Sequence, residues 1–433
     1  MIDLNNIPPN WTTAKLGEVC DNISLNGIKI KQKQYLSSGK FPVIDQGQTL
    51  IGGYHNEDKF LVTGEPPFIV FGDHTKVKKY VNFKFIAGAD GIKVLKPHSV
   101  FNPKFFYYLL FAVKIPDRGY ARHFQFLVKE EIPLPPLPEQ HRIVSKLEEL
   151  FTELDKGIEQ LQTAQQQLKV YRQAVLKWAF EADTHKEYLL KDVSVKIQIG
   201  PFGTQLHKED YIECGIPLIN PMHIENGKIV TDNSYTISKE KRDSLPNYIL
   251  QEGDILLGRR GEMGRCALIG DKENGWFCGT GSLFVRPQKE ILNSTYLYYF
   301  LSSDITKIYL QENAGGTTMA NLNLKIVGNV PIRLPNIFEQ IQVVHEIESR
   351  HSVCDKIEET IADSLQQAEA LRLSILKKAF EGKLVPQDPN DEPAQKLLER
   401  IRDLRQAQGK QGKAKPEKKE KVKAPKKKAL VNG

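Results

Sequence analysis

The stretch GRRGEMGR at 258–265 packs Arg259, Arg260, Glu262 and Arg265 between glycines. FGDHTKVKK at 71–79 places Asp73, His74, Thr75 and Lys76 just past an apolar run, and DRGYARHFQ at 117–125 adds Arg118, Tyr120, Arg122, His123 and Gln125. GPFGTQLHK at 200–208 contributes Gln205, His207 and Lys208, and GGTTMANLN at 315–323 contributes Thr317, Thr318 and Asn321. These side chains are planar or hydrogen-bonding rather than nucleophilic. Arg can address a guanine edge with two parallel bonds, Asn and Gln suit adenine, Glu accepts from cytosine, and Thr or Lys holds phosphates. Any one of these loops also reads as a plain turn carrying solvated charge. The weight comes from two such sets at matching places in a duplicated chain.

Signals for catalysis fail on context. FCGTG, Phe277–Gly281, has the spacing of a loop that cradles S-adenosylmethionine, but that chemistry needs a helix to follow, and SLFVRP reads as another strand. NPMH at 220–223 lacks the second proline and the aromatic of an amino-methylating tetrapeptide. No HExxH pair or GxxxxGK[ST] loop occurs, so neither a metal nor a nucleotide site is expected. The five cysteines lie far apart and are expected to be reduced thiols, mostly buried.

The elements that must position the loops come from an internal repeat. Residues 132–182 align with 332–382 without a gap, including Leu134/Leu334, Glu139/Glu339, Gln140/Gln340, Asp155/Asp355 and Arg172/Arg372, and the copies end on KWAFEA and KKAFEG. In the first copy Leu147, Leu154, Leu161, Leu168 and Val175 recur every seventh position; in the second, Ile347, Cys354, Ile361, Ala368 and Ile375 do the same. This period predicts a coiled-coil seam, with a companion row expected three positions on at Leu150, Ala164, Tyr171, Trp178, Ile357 and Leu371. Pro138 suits a first helical turn and Asn336 with Glu339 has capping-box spacing, so both helices should start near the EQ pair and run about 63 Å.

The segments before the helices correspond more loosely, FPVI (41–44) with IPLI (216–219) and NPKFFYYLL (102–110) with NSTYLYYFL (293–301). Each mixes short strands with one aromatic helix. The expected architecture is therefore mixed α+β: globules at 1–133 and 184–333, long antiparallel coiled-coil helices at 134–183 and 334–383 related by a pseudo-two-fold, a segment with a short helix at 384–406, and a Lys-rich disordered tail at 407–433. The net charge of +7 resides in that tail, where residues 410–428 hold ten Lys and two Glu. The rest is nearly neutral, so global basicity says nothing about the folded body. No run reaches the roughly 20 apolar residues of a membrane span, and the N-terminus lacks the layout of a signal peptide, which points to a cytoplasmic protein with no membrane partner.

The paired PLPPLPEQ and LPNIFEQ boxes, the helix ends LKWAFEA and LKKAFEG, and DEPAQKLLERI at 391–401 together make the chain resemble the specificity subunit of Type I restriction-modification systems, up to about residue 405. The resemblance implies a non-catalytic subunit whose two globules are target-recognition domains. Each would read half of a bipartite, asymmetric double-stranded DNA target, with the helices setting a gap of several base pairs. It further implies two methyltransferase subunits docked on the helices and, in the full complex, restriction subunits. S-adenosylmethionine for adenine methylation, and ATP with Mg for cleavage, would be bound by those partners and not by this chain. The docking expectation falls on Glu139, Gln140, Glu339, Gln340 and the seam residues named above, with polar outer faces exposed. A protein-interaction scaffold with duplicated globules on a coiled-coil spacer accounts for the same layout without DNA.

Overall fold

The computed structural model describes residues 3–88, 91–98, 101–116, 119, 121–181, 185–203, 205–231, 233–260, 264–314 and 321–411. It divides into two compact units, one of Met1–Ile158 with Gln366–Gly433 and the other of Glu159–Leu365. Each long helix is thus shared between units, its first part in one and its last part in the other.

In the first unit the main sheet has strands β1 (Cys20–Ile23), β2 (Phe68–Gly72), β3 (Lys78–Val81) and β4 (Ile92–Pro97), antiparallel in the order β1-β4-β2-β3. All five residues of β2 are buried because successive side chains leave opposite faces of the strand and each face has its own core. Ile69 and Phe71 join the cluster beneath the helices, while Phe68 and Val70 join a second cluster with Phe85 and Ile92. Helix α1 (Pro103–Ala112) follows. Asn102 caps it by accepting from the amides of Lys104 and Phe105, Pro103 fits the first turn, and Phe105, Phe106, Leu109 and Leu110 form its buried stripe.

The second unit repeats this plan with different residues. Strands β5 (Ser194–Ile199), β6 (Ile255–Gly258), β7 (Cys266–Leu268) and β8 (Ser282–Pro287) lie antiparallel in the matching order β5-β8-β6-β7. Ile255 and Leu257 again face one core and Leu256 the other. Asn293 caps the second aromatic helix, which runs Ser294–Ser302 and buries Tyr296, Leu297, Phe300 and Leu301. FCGTG is a strand, Phe277–Cys278, then a turn into β8, so no helix follows it. Among the cysteines Cys214 is exposed and the other four are buried, none of them in a disulfide.

The long helices are Leu137–Phe180 and Ile337–Phe380, each 44 residues, or about 66 Å. Asn336 and Glu339 form the expected box: the Glu339 amide donates to the Asn336 side chain at 3.0 Å and the Asn336 amide to the Glu339 carboxylate at 3.2 Å. The every-seventh row is covered, with Ile347, Cys354, Ile361, Ala368 and Ile375 buried and Leu147 and Val175 buried on the first helix. Its companion row holds only in part: Leu150, packed on the first unit's core, and Ala164 are half-buried as expected three positions on, but elsewhere the covered positions lie four on. Tyr171 and Trp178 are 45% and 55% exposed, whereas Phe151 and Ala379 are buried and Ile158, Arg172, His351, Glu358, Leu365 and Arg372 half-buried.

Arginines account for the shift. In the second unit Arg172 is held by Asp355 at 2.6 Å and Glu358 at 3.1 Å. In the first, Arg372 pairs with Asp155 and stacks over Phe151 at 4.6 Å. The same pairing thus occurs in each unit with the roles of the helices exchanged. Both units run the start of one helix against the end of the other, which is antiparallel packing.

Glu139, Gln140 and Gln340 are buried, which changes their role. Gln140 accepts from the Asn102 amide at 3.0 Å and donates to the Pro135 carbonyl at 3.1 Å. Gln340 repeats this on Asn293 and Pro335, and also donates to Ile291. Each glutamine therefore ties a long helix to the cap of an aromatic helix. Glu139 accepts from Trp11 Nε1 at 2.9 Å and from Gln387 at 2.6 Å, and burial pushes its carboxyl upward. These residues and the covered seam positions are internal fasteners. An exposed docking surface must use other side chains.

The C-terminal segment closes over the first unit. Arg142 pairs with Asp391 at 2.6 Å, and helix Ala394–Gln411 buries Ala394, Leu397, Leu398 and Ile401. This amphipathic start carries the helix through 407–411, which the sequence assigned to the tail; the rest of the Lys-rich tail lies outside the described residues.

Candidate nucleic-acid interface

In both units the loops with the most hydrogen-bonding side chains leave the glycine that ends the central strand. In the first unit Asp73 follows Gly72 and is buried. Its carboxylate accepts from the Phe124 amide at 2.8 Å, and its carbonyl receives the His123 amide at 2.8 Å. His123 is also fully buried, its Nδ1 3.0 Å from the same carbonyl. Asp73 and His123 are therefore bracing, not reading, residues, and in this respect the sequence expectation is corrected. The reason is local: a carboxylate beside the start of the short helix Phe124–Leu127 satisfies amides that would otherwise lack partners.

Thr75, Arg122 and Gln125 stay exposed, and His74 and Lys76 are half-buried. Lys76 stands at φ +58°, so this turn holds a backbone conformation uncommon for a lysine. Thr75 Oγ1 donates to the Gln46 carbonyl at 2.8 Å, and the His74 amide reaches Gln46 Oε1 at 3.4 Å. Gln46 belongs to DQGQTL at 45–50, which buried Lys79 anchors by donating to the carbonyls of Asp45 and Thr49 at 2.8 and 2.6 Å. Burial lowers the Lys79 pKa, with Asp45 opposing that shift. Sequence reading missed Asp45 and Gln46; their signal was the turn directly after FPVI. Arg118 and Tyr120 lie outside the described residues.

The second unit builds the equivalent surface from arginines. Arg259 takes the place of Asp73 after Gly258, and its carbonyl receives the Leu322 amide at 3.0 Å just as that of Asp73 receives His123. Its Nε donates to the Leu322 carbonyl at 3.1 Å, and its guanidinium covers the exposed Phe202 ring at 5.5 Å. Burial, and after it the charge of Arg260, pull Arg259 below the usual arginine range. Arg260 is exposed and bridges to Asn321 through its backbone. Arg265 donates to the Pro221 carbonyl at 3.4 Å, drawing in the loop after Ile216–Ile219 as Gln46 does in the first unit.

Gln205, His207 and Lys208 are exposed on the next turn. Gln205 Oε1 receives Tyr248 Oη at 2.7 Å, and the His207 amide donates to Asp210 at 2.7 Å. Arg259, Arg260 and Asn321 are thus brought together, with Arg265 and Gln205 placed by neighbouring loops. Glu262, Thr317 and Thr318 lie outside the described residues. Phe202, half out of the surface beside Arg259, is the side chain that sequence reading passed over.

Two α+β globules of one topology, each presenting loops at the end of its central strand and each leading into a long paired helix, define a duplicated recognition scaffold. The family model for the Type I restriction modification DNA specificity domain matches residues 8–163 and 186–367. The chain belongs to this family.

Among its relatives is the Type I restriction enzyme EcoBI specificity subunit of Escherichia coli, 29% identical over 64% of this chain and 65% of that protein. The EcoKI specificity subunit of Escherichia coli (strain K12) is 28% identical over 64% of each chain. The chain thus spans just under two thirds of the length of these two relatives. It spans 97% of the EcoDI specificity subunit, also from Escherichia coli, at 23% identity and 93% coverage of this chain.

Two solved structures share the fold. One is a chain of a type I R-M system described for its complex assembly and conformational transition, with TM-score 0.67 and 21% identity, covering 87% of this chain and 99% of that one. The other is the HsdS subunit from Thermoanaerobacter tengcongensis, with TM-score 0.50 and 20% identity, covering 87% and 98%. Among the described residues no helix is long and apolar enough to cross a membrane.

Proposed function

We propose that this chain is the non-catalytic DNA-recognition subunit of a Type I restriction-modification complex and that it reads a bipartite, asymmetric target. The observation that carries this is the pair of loop sets after β2 and β6. They occupy the same place in one topology, yet one offers His74, Thr75 and Lys76 and the other Arg259 and Arg260. One scaffold with two different reading surfaces makes two different half-sites. The paired helices act as the spacer that leaves several base pairs between the halves unread.

Catalysis belongs to partners in this reading: two methyltransferase subunits that carry S-adenosylmethionine for adenine methylation, and restriction subunits that use ATP with Mg. The outer faces of the long helices supply their docking surface. These faces are less polar than expected, with Phe338, Ile341, Val353 and Leu373 on the second helix and Val170 and Trp178 on the first exposed to solvent. A contiguous exposed apolar patch marks an interface, and Phe338 and Ile341, one turn apart, supply the start of one. The reading is tested by assaying the chain together with its methyltransferase partner on defined duplexes. Methylation confined to one two-part sequence supports it, and methylation without sequence preference overturns it in favour of a protein-binding scaffold.

A further inference from the structure

We propose that Phe202 is a specificity-determining residue of the second globule, making apolar contact with the 5-methyl group of a thymine next to the base that Arg259 addresses. The inference rests on the DNA-reading function proposed above.

Phe202 is 58% exposed, although a phenylalanine ring ordinarily contributes most when buried. It stands on a loop whose base is fixed: Gly200 packs so closely on Gly279 that any side chain there would collide with the Gly279 carbonyl. The next glycine, Gly203, has open space around it. The loop is thus anchored below, and at its tip the Gln205 amide donates to the Phe202 carbonyl at 2.8 Å, with the ring left facing open space.

The ring is held in place by a neighbour rather than by a core. The Arg259 guanidinium lies 5.5 Å from its centroid, and Arg259 is itself fixed by the bond from its Nε to Leu322. This pairing decides the mode of contact. A ring slipped between two base pairs needs both faces free, whereas one face of Phe202 is taken by the guanidinium. What remains for DNA is the edge and the outer face.

In the major groove the apolar feature of a base edge is the thymine methyl, and phenylalanine is among the residues that contact it. An arginine next to an apolar ring is suited to adjacent steps, one read by hydrogen bonds and one by the methyl.

The test uses the full chain in complex with its methyltransferase partner and duplexes carrying its mapped target. Each thymine of the half-site assigned to the second globule is replaced singly by deoxyuridine, which removes one methyl group and nothing else. Wild-type complex is expected to lose about fourfold in methylation efficiency at one such position, the factor that about 0.8 kcal/mol of apolar contact implies. Phe202→Ala is expected to lose a similar factor on the unmodified target and to become indifferent to that methyl, and Phe202→Leu to retain part of the dependence. Deoxyuridine in the other half-site should affect wild type and Phe202→Ala equally, which shows that the variant is folded.

Three results overturn the proposal: no thymine in the half-site, a wild type insensitive to every replacement, or full methyl dependence in Phe202→Ala. Each of these leaves a sequence-selective wild type in place. Absence of any sequence selectivity in the wild type would instead sink the DNA-reading function itself.

Discussion

Arg259 and Asp73 occupy one structural position in two copies of a globule, and their chemistry diverges. The carboxylate turns inward to satisfy the Phe124 amide, while the guanidinium lies across Phe202 at the surface. Arg259→Ala and Arg260→Ala should therefore weaken recognition of one half-site only, by about 1 to 3 kcal/mol where a base contact is lost. Methylation rates on targets mutated in each half separately will check this, and unchanged rates would remove the loop as a reader.

Asp73→Ala should act differently, lowering stability by about 1 to 2 kcal/mol through the lost cap. The denaturant midpoint of the first globule reports that loss. Sequence alone does not separate these roles. Arg, Asp and His on Gly-flanked loops look alike until the Phe124 amide and the Leu322 carbonyl are placed against them.

At the scale of elements, the repeat made the helices legible, since a seven-residue period needs only residue types and spacing. The companion row was legible only in part, at Leu150 and Ala164. Its other positions hold Arg172, His351, Glu358 and Arg372, which read as solvent-facing, and only the reciprocal Arg–Asp pairs show that they face the seam. The EQ boxes were visible as matching words, but the task of Gln140 and Gln340 depends on Asn102 and Asn293 arriving beside them.

The register correction makes a contrast to test. Ile361→Ala, at a position 4% exposed, should cost about 2 to 5 kcal/mol, and Ile357→Ala, at 41%, less than about 0.5 kcal/mol. Thermal unfolding of the two variants will show the difference. Gln340→Ala should cost about 1 to 3 kcal/mol, because the buried Pro335 carbonyl and the partly buried Asn293 amide lose their partner. Faster amide exchange at the start of helix Ser294–Ser302 is its local signature.

For the whole molecule, the proposed spacer role ties helix length to DNA gap length. Seven residues added to each long helix, at 162–167 and at 362–367, preserve the seam period and extend the helices by about 10.5 Å, or about three base pairs. The half-sites should stay the same while the gap grows; an unchanged gap would contradict the spacer role.

Two-part recognition is measured most directly by single-molecule sequencing of DNA methylated by the wild-type chain co-expressed with its methyltransferase partner. One motif made of two unlike half-sites separated by several unspecified base pairs is expected. A continuous motif, a palindrome, or methylation without any motif would contradict it.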